Sequence, residues 1–541
     1  MDYLRRLRWF SSSLFPTRGY STPALEQMHL MPQDTKDNPL MFQFFTWLSE
    51  GSEQESWWKH FEAQVPRLKE FGVTHVWLPP PNKASNKHGA GYDAYDLWDL
   101  GEFEQKGSVA TRWGSKEELQ QACAVARANN IGVLIDAVLG HKLGADRKET
   151  FTAIPVNPDN RLQQTGPQRE IEGWTAYDFP GRGDKYSTLK WSHRHFTGVD
   201  WDARERKSDI YYIIGPGRNG WSKHVDDELG NYDYLLGCDI DHTQPDVKED
   251  LLRWGEWILE QTGGAGFRFD AMKHFDRRFL AEFIERCRRS LGSRDMFAVS
   301  EYWSDSISKV EHYIKQIRGQ TSFFDVPFHY NLHNASRNQS TYDLRKILKK
   351  SLLERRPWDA VTFVDNHDTG IGRTLESWVD ESFKVQAYAL ILLRLEGLPC
   401  VYYGDVYPNK EHFDANVSKQ ILKLIQARKK YAYGKMTEYL NYRNCIGFVR
   451  HGDDSHEGSG CVVVIRSNID VKQSSGNSKD YGQEIRMKVD LKKDLGTTGK
   501  PVIYRDLLGD SRTVAVNAEG WGIFPCAEGS AAVWTRSTSE E

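Results

Sequence analysis

A chain of 541 residues is longer than one compact core accommodates, so two or three domains with a large barrel among them are expected. Charged residues make up 27% of it but the formal net charge is only −4, which leaves no electrostatic footprint for nucleic acid or another polyanion. Seven cysteines, an odd number without CxxC spacing, argue against a disulfide framework or a zinc site, and no run reaches the roughly 18 to 20 apolar residues of a membrane span. The expectation is a monomer with reduced thiols, working in the cytoplasm away from membranes.

Residues 1–38 read as an N-terminal extension without fixed structure. Arg5, Arg6, Arg8 and Arg18 stand there among serines, with no continuous apolar stretch of the kind a secretory signal needs. A mitochondrial-type presequence is the other reading.

From Pro39 onward, β-type runs alternate with amphipathic helices. LMFQFFTW precedes the helical WWKHFEAQVPRLKEFG; VTHVWLPP, the helix KEELQQACAVARANN and IGVLIDAV follow. After a long interruption come the helix DVKEDLLRWGEWILEQ, GFRFDA, the helix DRRFLAEFIERCRRSL, MFAVSE, SFFDVP, AVTFVD and LPCVYYG. Eight strand candidates that are apolar on both faces and joined by helices predict a closed parallel (β/α)8 TIM barrel over 39–139 and 245–432. The interruption, 140–244, is too long for a loop and reads as an inserted β-rich subdomain. Its Trp174, Tyr177, Trp191, Trp201, Tyr211 and Trp221 lie in polar, Gly-containing stretches, where they either offer faces to sugar rings or pack the subdomain. Over 433–541 the helices stop and CIGFVRHG, CVVVIRS, EIRMKVDL, PVIYRDLL and AAVWTR predict a C-terminal antiparallel β-sandwich.

Asp136, Asp270, Glu301 and Asp368 each end one of the barrel runs, and such a barrel builds its active site at the carboxyl ends of its strands. Converging carboxyls suit glycoside hydrolysis, where one protonates the leaving oxygen and another attacks or activates water. Arg268, two residues before Asp270 and so on the same strand face, is expected to keep that carboxylate ionised, as a nucleophile requires. Glu301, flanked by Phe297, Val299 and Trp303 with no basic neighbour in its segment, is expected to hold a proton and act as acid/base. Asp368 adds a third anion beside Asn366 and His367, and His141, Lys273 and His274 supply polar groups at neighbouring strand ends. Asp136 reads rather as a structural acid that holds loop backbone or an arginine; His141 alone would be a core histidine, and gains its functional reading from the set.

DAVLGH, GFRFDAMKH, SEYW and FVDNHD resemble, in order, the four sequence blocks of the α-amylase family of glycoside hydrolases, most closely its liquefying-type bacterial members and their intracellular fungal relatives. The resemblance implies endo-acting, retaining hydrolysis of α-1,4-glucans or malto-oligosaccharides, with Asp270 as nucleophile, Glu301 as acid/base and Asp368 as transition-state stabiliser. It places Arg268, His141 and His367 around the attacked sugar and Tyr92 beneath it, with Gln43, Trp47, Lys273 and His274 nearby. For the fungal relatives it also implies a link to intracellular or cell-wall α-glucan. The family's calcium ligands are depleted: Gly140 replaces an Asn, and Thr197, Ser222 and Thr243 stand where aspartates are expected. Loss of the multi-metal cluster is therefore expected, with one weakened Ca2+ site on Asp233, Asp239, Asp241 and His274. A 4-α-glucanotransferase-like enzyme and a catalytically weak glucan-binding protein are the rival readings.

Overall fold

The computed structural model describes residues 38–215, 220–292, 296–468, 480–491, 501–509 and 512–537, so the reading of the N-terminal extension lies, but for Asn38, outside the described residues. The eight apolar runs become eight parallel strands that close in the order Met41–Gln43, Leu398–Tyr402, Ala360–Phe363, Ser322–Phe324, Phe297–Ser300, Gly266–Phe269, Gly132–Ala137 and His75–Trp77. Their residues are buried almost throughout, because one face fills the barrel and the other lies under helices. The helix Lys116–Ala128 starts at a capping box of Ser115 and Glu118, and Arg277–Ser290 starts on the Asp276 side chain. That second helix turns Phe279, Leu280, Phe283, Ile284 and Cys287 onto the barrel.

Register decides what meets at the barrel mouth. Arg268 pairs with Asp136 on one side and with Val299 on the other. Phe269 pairs with Ser300, so the next residues, Asp270 and Glu301, leave the barrel abreast. Gly266, at φ +155°, permits this close pairing: a Cβ there would stand 1.8 Å from the Phe297 carbonyl oxygen.

Between the third and fourth barrel strands in chain order, an antiparallel sheet runs in the order His141–Lys142, Cys238–Ile240, Phe196–Asp202, Lys207–Ile214, Arg147–Asn157 and Asn160–Gln164, with Arg169–Ala176 also paired to Arg147–Asn157. His141 thus belongs to this sheet as well as to the cleft. Of the six aromatic residues singled out in this region, Tyr177, Trp191, Tyr211 and Trp221 are buried and pack it, which corrects the sugar-facing alternative for them; Trp174 and Trp201 are exposed.

The C-terminal strands form a six-stranded sheet, Met436–Tyr439, Cys445–Arg450, Cys461–Arg466, Ser530–Arg536, Val502–Asp506 and Thr513–Val516, faced by the two-stranded Glu484–Lys488 and Trp521–Pro525. The run CVVVI is apolar throughout because both faces are covered. Phe448, Val463 and Val533 join the barrel's core, whereas Val449, Val462, Val464 and Trp534 build a second core against Ile485, Met487 and Phe524.

A buried guanidinium fastens this sheet to the barrel. Arg450 Nη1 donates to the carbonyls of Leu393 and Arg394 at 3.1 Å, at the carboxyl end of the helix Glu381–Leu393, while Nε and Nη2 reach Gly434 O at 3.2 and 3.1 Å. Arg450→Met leaves those carbonyls without a donor and is expected to cost about 3 kcal/mol. A denaturant midpoint equal to wild type would refute this.

All seven cysteines are buried free thiols, and no helix among the described residues is long and apolar enough to cross a membrane.

Candidate active site

Arg268 is the hub. Its Nη1 lies 2.8 Å from Asp136 Oδ1 and 2.6 Å from Asp270 Oδ1, and its Nη2 lies 2.7 Å from Glu301 Oε2. Two nitrogens of one rigid, planar group therefore hold Asp270 and Glu301 toward a common pocket. Asp136 is fully buried and also accepts from Trp77 Nε1 at 2.9 Å and from the Tyr92 hydroxyl at 2.7 Å. It anchors the arginine, in keeping with its structural reading.

Glu301 has no basic neighbour in its own segment, but Arg268, 33 residues earlier in the chain, contacts it directly. Its pKa is nevertheless raised: burial outweighs the attraction of Arg268, and the Asp270 charge adds to the rise. The Ala271 N–H donates to Glu301 Oε2 at 3.0 Å, presented by a left-handed backbone at φ +47°. No sequence pattern marks that non-glycine turn.

On the far side of the pocket Asp368 keeps 26% of its side-chain surface open to the cleft, with its pKa raised by burial and by the Glu301 carboxylate. His367 Nε2 stands 3.3 Å from Asp368 Oδ2, and Gln43 Nε2 lies 3.0 Å from His367 Nδ1. Burial and the Arg268 charge hold the imidazole neutral. An amide N–H from Gln43 makes Nδ1 the acceptor and leaves the ring proton on Nε2, toward Asp368. Trp47, Tyr92 and His367 lie nearly parallel, with Tyr92 5.7 Å from Trp47 and 5.1 Å from His367 between ring centroids. They form an aromatic wall beside the acids. His141 Nε2 donates to Tyr92 O at 2.8 Å and so ties the inserted sheet to that wall.

Lys273 and His274 follow Asp270 on the same turn. Lys273 Nζ pairs with Glu228 of the inserted region at 2.5 Å, and His274 Nδ1 donates to Tyr232 O at 2.9 Å. Sequence reasoning missed Glu228, because its partner lies 45 residues away.

The buried carboxyls of Asp233 and Asp239 lie against each other. Among the described residues no group of three or more His, Cys, Asp or Glu side chains is disposed to hold a metal ion. Asp233, Asp239, Asp241 and His274 instead have protein partners, and the residues found in place of the aspartates supply several of them. Ser222 N donates to Asp233 Oδ2 at 2.8 Å, the Thr197 hydroxyl donates to Asp239, and Thr243 donates to Asp241 Oδ1 from both N and hydroxyl, at 3.0 and 2.5 Å. Arg161 adds a positive charge near Asp239 and Asp233. Calcium takes six to eight oxygens; each of these three carboxylates already accepts from an N–H or O–H donor, while Asp233 Oδ1 is buried without a hydrogen-bond partner among the described residues.

A (β/α)8 barrel with acids gathered at the carboxyl ends of its strands defines the class, a barrel enzyme of the glycoside hydrolase kind. The family described as "Alpha amylase, catalytic domain" matches residues 58–434, and the chain belongs to the α-amylase family. It is 40% identical over 499 residues to a glucan 1,4-alpha-maltohexaosidase of a Bacillus species, spanning 92% of each chain. It is 38% identical over 513 residues to the cytoplasmic alpha-amylase of Escherichia coli, spanning 92% of this chain and 98% of that one. A solved alpha-amylase from Geobacillus thermoleovorans, complexed with acarbose, shares the fold at a TM-score of 0.56 and 17% identity, over 93% of this chain and 97% of that one.

Proposed function

We propose that the protein is an endo-acting, retaining hydrolase of α-1,4-glucosidic bonds in starch- or glycogen-type glucans and malto-oligosaccharides. The observation that carries this reading is the single guanidinium of Arg268 holding Asp270 and Glu301 abreast at the mouth of the barrel. In the first step Asp270 attacks the anomeric carbon, and Glu301, whose raised pKa favours the acid form, gives its proton to the leaving oxygen. In the second step Glu301 takes a proton from water, which cleaves the glycosyl ester.

Asp368 and His367 hold the hydroxyls of the distorted ring, Tyr92 and Trp47 stack on its apolar face, and His141, Gln43, Lys273 and His274 complete the walls. Buried free thiols and the likeness to the cytoplasmic enzyme of Escherichia coli support work in a reducing cytoplasm. Capping of Asp233, Asp239 and Asp241 by Ser222, Thr197 and Thr243 supports activity without calcium.

The test is a series of malto-oligosaccharides incubated with the purified protein, with and without a chelator. Internal cleavage to shorter products at the same rate in both arms is the expected result. Early appearance of longer chains would make it a transferase. Absence of any cleavage would leave only a binding protein, and activity lost to chelator and restored only by calcium would overturn the metal reading.

A further inference from the structure

Lys384 lies in the first turn of the apolar helix Glu381–Leu393 and is 1% exposed, a position that an ammonium group takes only when paired. Its Nζ lies 2.6 Å from Asp405 Oδ1, 3.1 Å from Asp365 Oδ2 and 3.2 Å above the Trp378 ring centroid. The Tyr388 hydroxyl, one helical turn on, donates to Asp405 Oδ2 at 2.6 Å and accepts from Tyr402 N at 3.4 Å. The cluster therefore joins the chain just past two adjacent barrel strands, Ala360–Phe363 and Leu398–Tyr402, to the helix that lies between them in sequence.

Asp365 and Asp368 share one turn but face opposite ways: the first is sealed in this cluster, the second opens on the cleft. The links between them are continuous. Asp365 Oδ1 accepts from the Thr369 hydroxyl at 2.9 Å and from Val379 N at 3.3 Å. Thr369 Oγ1 accepts from Asn366 N at 3.1 Å, and Asn366 Oδ1 accepts from the backbone N–H groups of Asp368 at 2.8 Å and Thr369 at 3.1 Å.

We propose that the buried Lys384–Asp365–Asp405–Tyr388 cluster, acting through Thr369, is a positioning device that fixes Asp368 and His367 against the substrate ring. This rests on the functional reading above, in which Asp368 touches the sugar. A group that grips the ring most tightly in the transition state must be held to a fraction of an ångström, and ions buried behind the turn supply that rigidity without touching substrate.

Thr369→Val keeps the volume of the side chain and removes its hydroxyl. Its kcat on maltopentaose is expected to fall about 10- to 100-fold, with KM changed by less than about twofold because the remaining walls still bind the chain. Thr369→Ser, which restores the hydroxyl, is expected to recover kcat to within about twofold of wild type. Lys384→Met is expected to lose more; should it fail to fold, the two Thr369 variants decide the matter.

Rates are taken well below each variant's melting midpoint. A Thr369→Val enzyme with wild-type kcat, or a Thr369→Ser enzyme as slow as the valine form, overturns the proposal while leaving the functional reading intact. A wild-type protein that cleaves no maltopentaose overturns the functional reading and this inference with it.

Discussion

Asp270→Asn is expected to lower kcat on maltopentaose by about ten thousandfold or more, with the melting midpoint and oligosaccharide affinity close to wild type. The amide is nearly isosteric, and its oxygen can still accept from Arg268 Nη1, which contacts Asp270 at 2.6 Å, so the pocket keeps its shape. What disappears is the charged oxygen that forms the glycosyl ester, and no neighbour replaces it. Glu301 is held on the other arm of the same guanidinium, and Asp136 is buried behind it. Loss of a nucleophile in such a constellation costs several orders of magnitude, whereas loss of a binding contact costs far less. A single-turnover rate for Asp270→Asn within about tenfold of wild type would remove the nucleophile assignment.

Arg268→Met acts on stability as strongly as on rate. The substitution leaves Asp136 fully buried with no countercharge and removes the tether between Asp270 and Glu301. Removing one partner of a buried ion pair costs about 3–5 kcal/mol, and kcat is expected to fall by about a hundredfold or more once the two acids lose their common geometry.

The loss depends on pH in a definite direction. Burial already raises the Asp136 pKa to about 7 in the folded protein, against about 3.9 in the unfolded chain. A carboxyl whose folded pKa is raised binds more protons folded than unfolded, so its contribution to stability falls as pH rises from the unfolded value through the folded one. Removing Arg268 takes away the main influence that lowers Asp136, moves its folded value further up and extends that falling limb into the alkaline range. Denaturant titrations at about pH 5 and pH 8.5 should therefore show a much smaller deficit at the acid end. Equal deficits at both would mean that Asp136 is not the group left stranded.

The barrel was legible because its eight strands are covered on both faces, and that condition writes an unbroken apolar run which ends where the chain meets solvent. The acids at those ends were legible for the same reason. Glu301 shows where reading along the chain stops. Its own segment carries no base, and only the pairing of Phe269 with Ser300 carries it to Arg268. The strands Met436–Tyr439, Thr513–Val516 and Trp521–Pro525 were missed because they are short and keep exposed residues, so no apolar run announces them. Lys384 did leave a signal, a lone charge in the apolar FKVQAYALILL, but nothing local says which carboxylates receive it.

The sequence by itself determined the barrel, the order of its staves and the acids they deliver, since those depend on hydrophobic runs and on chemistry that each segment carries alone. Only the tertiary structure decided which acids share Arg268, which aromatic rings are core and which surface, and which donors reach the remaining aspartates of the inserted sheet. Those outcomes depend on strand register and on the direction of each side chain, and both are settled when distant segments pack, by contacts that no single segment contains.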